Sequence, residues 1–283
     1  RAKGDGVTWR FNANWKPSSN AMVYATVSKG FRPGGINRRA DVKPYDPDYL
    51  INYELGWKTT LAPGLRFNGA IYQQNWNKFQ FSFLGLNSFT EIHNGPDARI
   101  RGVEADLTYN GGGLTFNLAG SYTDAKTVKN LCLFDDPTYV CKDTGNGNMV
   151  SAPKGTRLPI TPQWKLSSTL RYTAEMGSAK PYGQINLAYQ SKASSDIRTA
   201  VYEPFSGNVV SPAAMLGELP AYATVNLAVG SEWDRFNVEL FVQNLFDERG
   251  QVSRFMQCGN CYQRPYIVPI NPRTIGLRAG AKF

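Results

Sequence analysis

The chain holds a single histidine, His93, and only four cysteines, and this scarcity removes two kinds of chemistry. A structural zinc site needs four nitrogen or sulfur ligands. The one C-x-x-C, Cys258 to Cys261, has neither a second C-x-x-C nor a histidine pair to complete it, so no metal centre is expected. Nucleophilic hydrolysis also lacks parts. There is no Gly-x-Ser-x-Gly, and the lone histidine leaves only a Ser88–His93 pairing to consider. The chain is therefore not read as an enzyme, and no cofactor is expected.

Long apolar runs are missing too. None reaches the roughly 18 residues of a transmembrane helix. A membrane barrel stays open, because its strands are apolar on one face only. Charge is low at 19% of residues, below the usual share of about 25%. The net charge is +9, yet the 31 Lys and Arg are scattered, with RRA at 38–40 the densest cluster. A nucleic-acid binder concentrates its cations on one face. No nucleic-acid partner is expected, and the charge suits a solvated or headgroup-facing surface.

The chain is rich in aromatics, at 13%, and in glycine, with 27. That mixture favours strands over helices. Apolar and polar residues alternate in eleven segments of its 283 residues. Near the start Trp9, Phe11, Ala13 and Trp15 oppose Arg10, Asn12, Asn14 and Lys16. Near the middle Val103, Ala105, Leu107 and Tyr109 oppose Glu104, Asp106 and Thr108. The period of two marks each segment as a half-buried strand.

The connections sort into two kinds. Those at 17–20, 62–64, 110–113, 174–180 and 232–235 are tight, whereas those at 31–48, 84–97, 127–161, 191–219 and 248–272 are long and polar. Short and long alternate strictly, as in an antiparallel up-and-down meander with all its tight turns at one end. The polar faces carry Glu54, Lys58, Arg66, Glu104, Asp106, Lys165, Arg171 and Glu239. Such a face suits a wet or plugged lumen, with the apolar face toward lipid. Tyr109, Trp164, Tyr172 and Trp233, near strand ends, would form interfacial girdles. The expected fold is an all-β transmembrane barrel wall of about eleven strands. Single-chain bacterial barrels have even strand counts, so the wall is expected to be part of a larger barrel, with Arg1 lying inside an extracellular loop.

Cys132 and Cys141, like Cys258 and Cys261, are close pairs within the long loops. They suggest local disulfides and an oxidising compartment. A redox reading of CGNC at 258–261 is the alternative.

Several stretches resemble the TonB-dependent outer-membrane receptors, in that family's order. They are VYATVSKGFRPGGIN at 23–37, YDPDYLINYELGWKTTL at 45–61, RGVEADL at 101–107, LPITPQWKLSSTLRY at 158–172, LPAYATVNLAVG at 219–230 and NLFDERG at 244–250. Asp48 stands where that family usually has Glu. The resemblance implies that residues 1–283 form the C-terminal half of a 22-stranded plugged barrel. The plug, the TonB box and the first half of the barrel would lie outside this chain. It further implies a place in the outer membrane of a Gram-negative bacterium and active import of a scarce ligand, most commonly a ferric siderophore. Cobalamin, haem, oligosaccharides or passive porin-like diffusion are the alternatives. Implied partners are TonB with its inner-membrane energisers, the barrel assembly machinery, the rest of the receptor, and lipopolysaccharide with membrane lipid.

Candidate ligand contacts are aromatics and cations near the long loops: Arg32, Arg38, Arg39 and Tyr45, then Trp76, Phe79, Phe81, His93 and Arg99. Cations suit anionic chelates, and flat rings suit catecholates or sugars. Arg32 and Arg99 could equally tie loops together or meet lipopolysaccharide phosphates, and Trp76 and Phe81 could be girdle residues. At the end of the chain Ile275, Leu277, Ala279, Ala281 and Phe283 alternate with polar residues and glycine. This resembles the C-terminal signal of outer-membrane barrels, with Ala281 where a second aromatic is usual.

Overall fold

In the computed structural model of the chain, residues 6–85, 88–203, 206–257 and 264–282 are described. Eleven strands form one antiparallel sheet in which every strand pairs with its neighbours in chain order. They are β1 (Trp9–Ser18), β2 (Ala21–Arg32), β3 (Asp48–Ala62), β4 (Leu65–Asn77), β5 (Ala98–Gly111), β6 (Leu114–Thr127), β7 (Trp164–Thr173), β8 (Lys180–Gln190), β9 (Tyr222–Glu232), β10 (Phe236–Gln243) and β11 (Thr274–Ala281). The meander and its count agree with the alternation in the sequence. Tight turns close one end. Between β5 and β6 the turn is Gly112–Gly113, with φ of 58° and 80°. Positive φ at both central residues is what a two-residue hairpin turn matching strand twist demands.

Cross-strand register assigns every side chain to a face. Glu54, Lys58, Arg66, Glu104, Asp106, Lys165, Arg171 and Glu239 all fall on one face. The groups there satisfy one another: Tyr24 donates to Glu54 at 2.8 Å, Asn68 to Asp106 at 2.9 Å and Tyr182 to Glu239 at 2.7 Å. Tyr24 and Tyr72 lie flat across Gly56 and Gly102 on the next strand, where a Cβ would come within 2.4 Å of each ring. The opposite face shows Phe11, Leu55, Ile71, Val103, Leu170, Ile185, Val229, Leu240 and Leu277 to the surroundings, all of them exposed. Trp164 and Tyr172 mark the two ends of this band on β7. They are separated by about 26 Å along the strand, close to the height of a lipid-facing band.

The terminal strand β11 continues the pattern. Ile275, Leu277, Ala279 and Ala281 sit on the apolar face, with Thr274 and Arg278 on the polar one. Phe283 lies outside the described residues, as do Cys258 and Cys261. Strands β1 and β11 have no partner on their outer edges among the described residues. An open edge in lipid leaves unsatisfied backbone groups, so both edges need a further strand.

The strands run longer than alternation suggests, and the reason is a reversal of polarity. Strand β5 begins at Ala98, where the sequence pattern puts its start near Val103. Over residues 98–102 the inward positions are Ala98, Ile100 and Gly102, and the outward ones are Arg99 and Arg101. Beyond the lipid the outer face meets water, while the inner face meets loops. Phe79, Ala98, Ala125, Leu131, Ala152, Leu158 and Ile197 form a small buried core there, with Trp76, Phe81 and Ile100 packed against it. The long connections also carry hairpins, such as Gln80–Leu84 with Thr90–Asn94, and a one-turn helix at Pro212–Leu216.

Candidate functional site

The loop end of the sheet is organised around Asp48, the first residue of β3, which is 2% exposed. Its carboxylate accepts from Arg32 Nε at 3.1 Å, from Trp76 Nε1 at 3.0 Å and from the Gln80 backbone N–H at 2.9 Å. A buried carboxylate is tolerable only when paired and hydrogen-bonded, and these donors meet that need. The hub fixes where the hairpin of residues 80–94 leaves the sheet. Asn37 clamps the same hairpin, donating to the Ile92 carbonyl at 2.9 Å and accepting from its N–H at 2.8 Å.

Within the hairpin Phe81 pairs with His93 and Phe83 with Glu91. Opposite residues share a face, so two phenyl rings, an imidazole and a carboxylate are presented together. His93 stacks on Phe83 with centroids 5.0 Å apart and planes 17° from parallel. The Arg198 guanidinium covers Phe83 at 4.1 Å and is held by Asp196 through Nη2–Oδ2 at 2.7 Å. This face lines a cavity of about 1240 Å³ between the loops, walled elsewhere by Tyr45, Phe134, Tyr139 and Tyr202.

Most cations around the cavity are already engaged. Arg39 donates to the buried Glu91 at 2.9 Å, and the other Glu91 oxygen lies 3.3 Å from His93 Nε2. Hydrogen bonding to Asp41, with further help from Glu91, raises the pKa of Arg39. Lys43 meets Asp135 at 2.5 Å, and that hydrogen bond raises the lysine pKa. An entering anion therefore competes with existing pairs for these groups.

Of the sequence candidates, Arg39, Tyr45, Phe81 and His93 line the cavity. Arg32 and Trp76 instead hold Asp48. Phe79 is 3% exposed in the loop core. Arg38 covers Phe89 at 5.8 Å. Arg99 is on the outward face, between Asn75 and Lys126. Cys132 and Cys141 form a disulfide, Cα atoms 5.1 Å apart, and Cys132 lines the cavity. Phe83, Glu91 and Arg198 are additional. Phe83 was signalled by its two-residue spacing from Phe81, whereas Arg198 sits in a long loop without periodicity.

A family model described as TonB dependent receptor-like, beta-barrel, matches residues 1–245. The chain belongs to the TonB-dependent receptor β-barrel family. The polar face of this receptor wall is thus the lumen side, the apolar face meets lipid, and its place is the outer membrane of a Gram-negative bacterium. Among curated relatives, the pesticin receptor of Yersinia pestis is 21% identical over all of this chain and 37% of its own length. Among solved structures, the ferric yersiniabactin uptake receptor FyuA from Yersinia pestis superposes with a TM-score of 0.71. It is 18% identical, over 97% of this chain and 37% of its own. The siderophore receptor PiuA from Acinetobacter baumannii gives 0.67 at 16% identity, over 98% of this chain and 36% of its own. The receptor chain thus spans 37% of the length of the curated relatives it matches.

Proposed function

We propose that this chain is the C-terminal half of a 22-stranded plugged barrel and that the complete receptor imports a ferric siderophore. The loop cavity described above is the outer binding surface in this reading. The observation that carries it is the continuous aromatic wall of Phe81, Phe83 and His93, capped by Arg198 and flanked by Arg39. Planar aromatic chelating groups stack on such rings, and guanidinium groups meet the negative charge of an iron chelate. The fold neighbours named for ferric yersiniabactin and for siderophores support the same class.

Import is uphill, so energy must come from outside the wall. TonB and its inner-membrane partners would act on the plug and its TonB box, elsewhere in the receptor. The wall contributes loops, lumen surface and lipid contact rather than catalysis. Accumulation of iron-55 chelates by intact cells tests the reading. Uptake is expected only in cells that have both the receptor and TonB, and uptake that survives loss of TonB would reject it.

A further inference from the structure

Four lysine and arginine side chains line the loop cavity, and each stands within ion-pair distance of a carboxylate. Arg39 is shared between Glu91 and Asp41, and Lys43 meets Asp135. Lys78 lies 3.8 Å from Asp46, and Arg198 is gripped by Asp196. A further carboxylate, Asp136, lines the cavity and accepts the backbone N–H groups of Thr138 and Cys141. Among the described residues six carboxylates thus stand against four cations there. Clefts that draw in strongly charged ligands are lined by one sign of charge. This one is not.

The Asp196–Arg198 pair is the hardest to open. Its side chains are only 13% and 12% exposed. Asp196 accepts from Arg198 Nε at 3.1 Å, from Nη2 at 2.7 Å and from the Arg198 backbone N–H at 2.8 Å. A highly anionic ligand that drew the guanidinium away would strand a largely buried carboxylate, which is strongly destabilising. If the guanidinium stayed, the ligand would face Glu91, Asp135 and Asp136 as like charges, and such juxtaposition suppresses binding. An uncharged aryl group meets neither penalty. Phe81, Phe83 and His93 offer it ring contact and every ion pair stays in place.

We propose that these carboxylates set the substrate class of the site: it takes ferric chelates of low net charge that carry an aryl group, and discriminates against chelates bearing several negative charges. The inference rests on the siderophore reading above and narrows it. Asp196 is a positioning residue here, acting through Arg198, whereas Glu91, Asp135 and Asp136 face the ligand directly. Specificity of this kind penalises the wrong ligand as well as holding the right one.

The test is equilibrium titration of the complete receptor, purified in detergent, with two ferric complexes built on one uncharged tripodal scaffold. The tris(benzohydroxamate) complex is neutral and the tris(catecholamide) complex is a trianion, while both present aryl rings. The ratio of their affinities is the readout, because a purely structural change weakens both alike. The wild type is expected to favour the neutral complex. In D196N the asparagine keeps an acceptor for the Arg198 backbone N–H but leaves the guanidinium charge unanswered, and the ratio should move about tenfold toward the trianion. D135N, which frees the exposed Lys43, should move it the same way by about threefold, since exposed charges are screened. It carries the test should D196N not fold. An unchanged ratio in the variants overturns the inference, as does equal loss of both affinities or a wild-type preference for the trianion. Binding of neither complex by the wild type counts against the siderophore reading itself and removes this inference with it.

Discussion

Arg32 and Asp48 are the last register pair of the β2–β3 ladder, and their ion pair also fastens the neighbouring hairpin through Trp76 and Gln80. Breaking it should loosen loops while leaving the sheet intact. Asp48→Ala is expected to cost about 2–3 kcal/mol, because it orphans several donors to one charged acceptor. Asp48→Asn keeps an acceptor for Trp76 but loses the ion pair, and should fall between. Hydrogen exchange reads this directly. Protection of the Gln80 amide should drop in Asp48→Ala with no change at strand amides such as Leu55.

Phe79 and Phe83 are two residues from Phe81 on either side, yet their roles differ. Phe79 is buried against Trp76, ring centroids 5.6 Å apart. Phe79→Ala should therefore destabilise the loop core by about 3–5 kcal/mol. Phe83 lines the cavity beneath Arg198. Phe83→Ala should leave thermal stability nearly unchanged and weaken chelate binding about tenfold. Thermal melting paired with titration separates the two effects.

The Cys132–Cys141 disulfide closes a short loop that carries Phe134 and Tyr139 to the cavity. A bridge over so short a loop contributes about 2–3 kcal/mol by constraining the unfolded segment. Cys132→Ser with Cys141→Ser should leave the strands folded and weaken chelate affinity. Mild reduction of the wild type should do the same, and proteolysis within 133–140 would reveal the freed loop.

The same loop has a sign-definite response to acid. Hydrogen bonds from Thr138 hold the Asp136 carboxyl below its ordinary value of 3.8, and the Gly145 and Gly147 amides do the same for Asp143. A depressed carboxyl pKa gives stability that is present above the ordinary value and is lost as pH falls through the lower folded value. Loop order over 136–147 should thus be flat from neutral pH down to about pH 4 and should decline below it. Amide exchange of Gly145, corrected for its intrinsic pH dependence, checks the window.

Strand number, order and the lipid-facing side were legible because lipid imposes a strict period of two, as at Val103, Ala105 and Leu107. The rule fails where lipid ends. At Arg99 and Arg101 the outward face turns polar and the strand no longer resembles its own lower half. That reversal put Arg99 among the cavity candidates, whereas register puts it on the outer wall. Asp48 was visible only as an unusual residue in a familiar stretch, since nothing local announces the donors that reach it from three other segments. The hairpin at 80–94 was hidden because its apolar face meets a cavity and loop core rather than lipid.

Trp76 packs against Phe79, ring centroids 5.6 Å apart, and Phe79 in turn lies 6.0 Å from the cavity-lining Phe81, so Trp76 fluorescence is the optical probe for occupancy of the site. Equilibrium titration of the folded receptor with ferric and iron-free chelates is the most direct test of siderophore binding by these loops. Saturable quenching by a ferric siderophore is expected, strongly weakened in Phe83→Ala and in Arg198→Gln. Absence of quenching by every ferric chelate tried, or quenching unchanged in both variants, would contradict it.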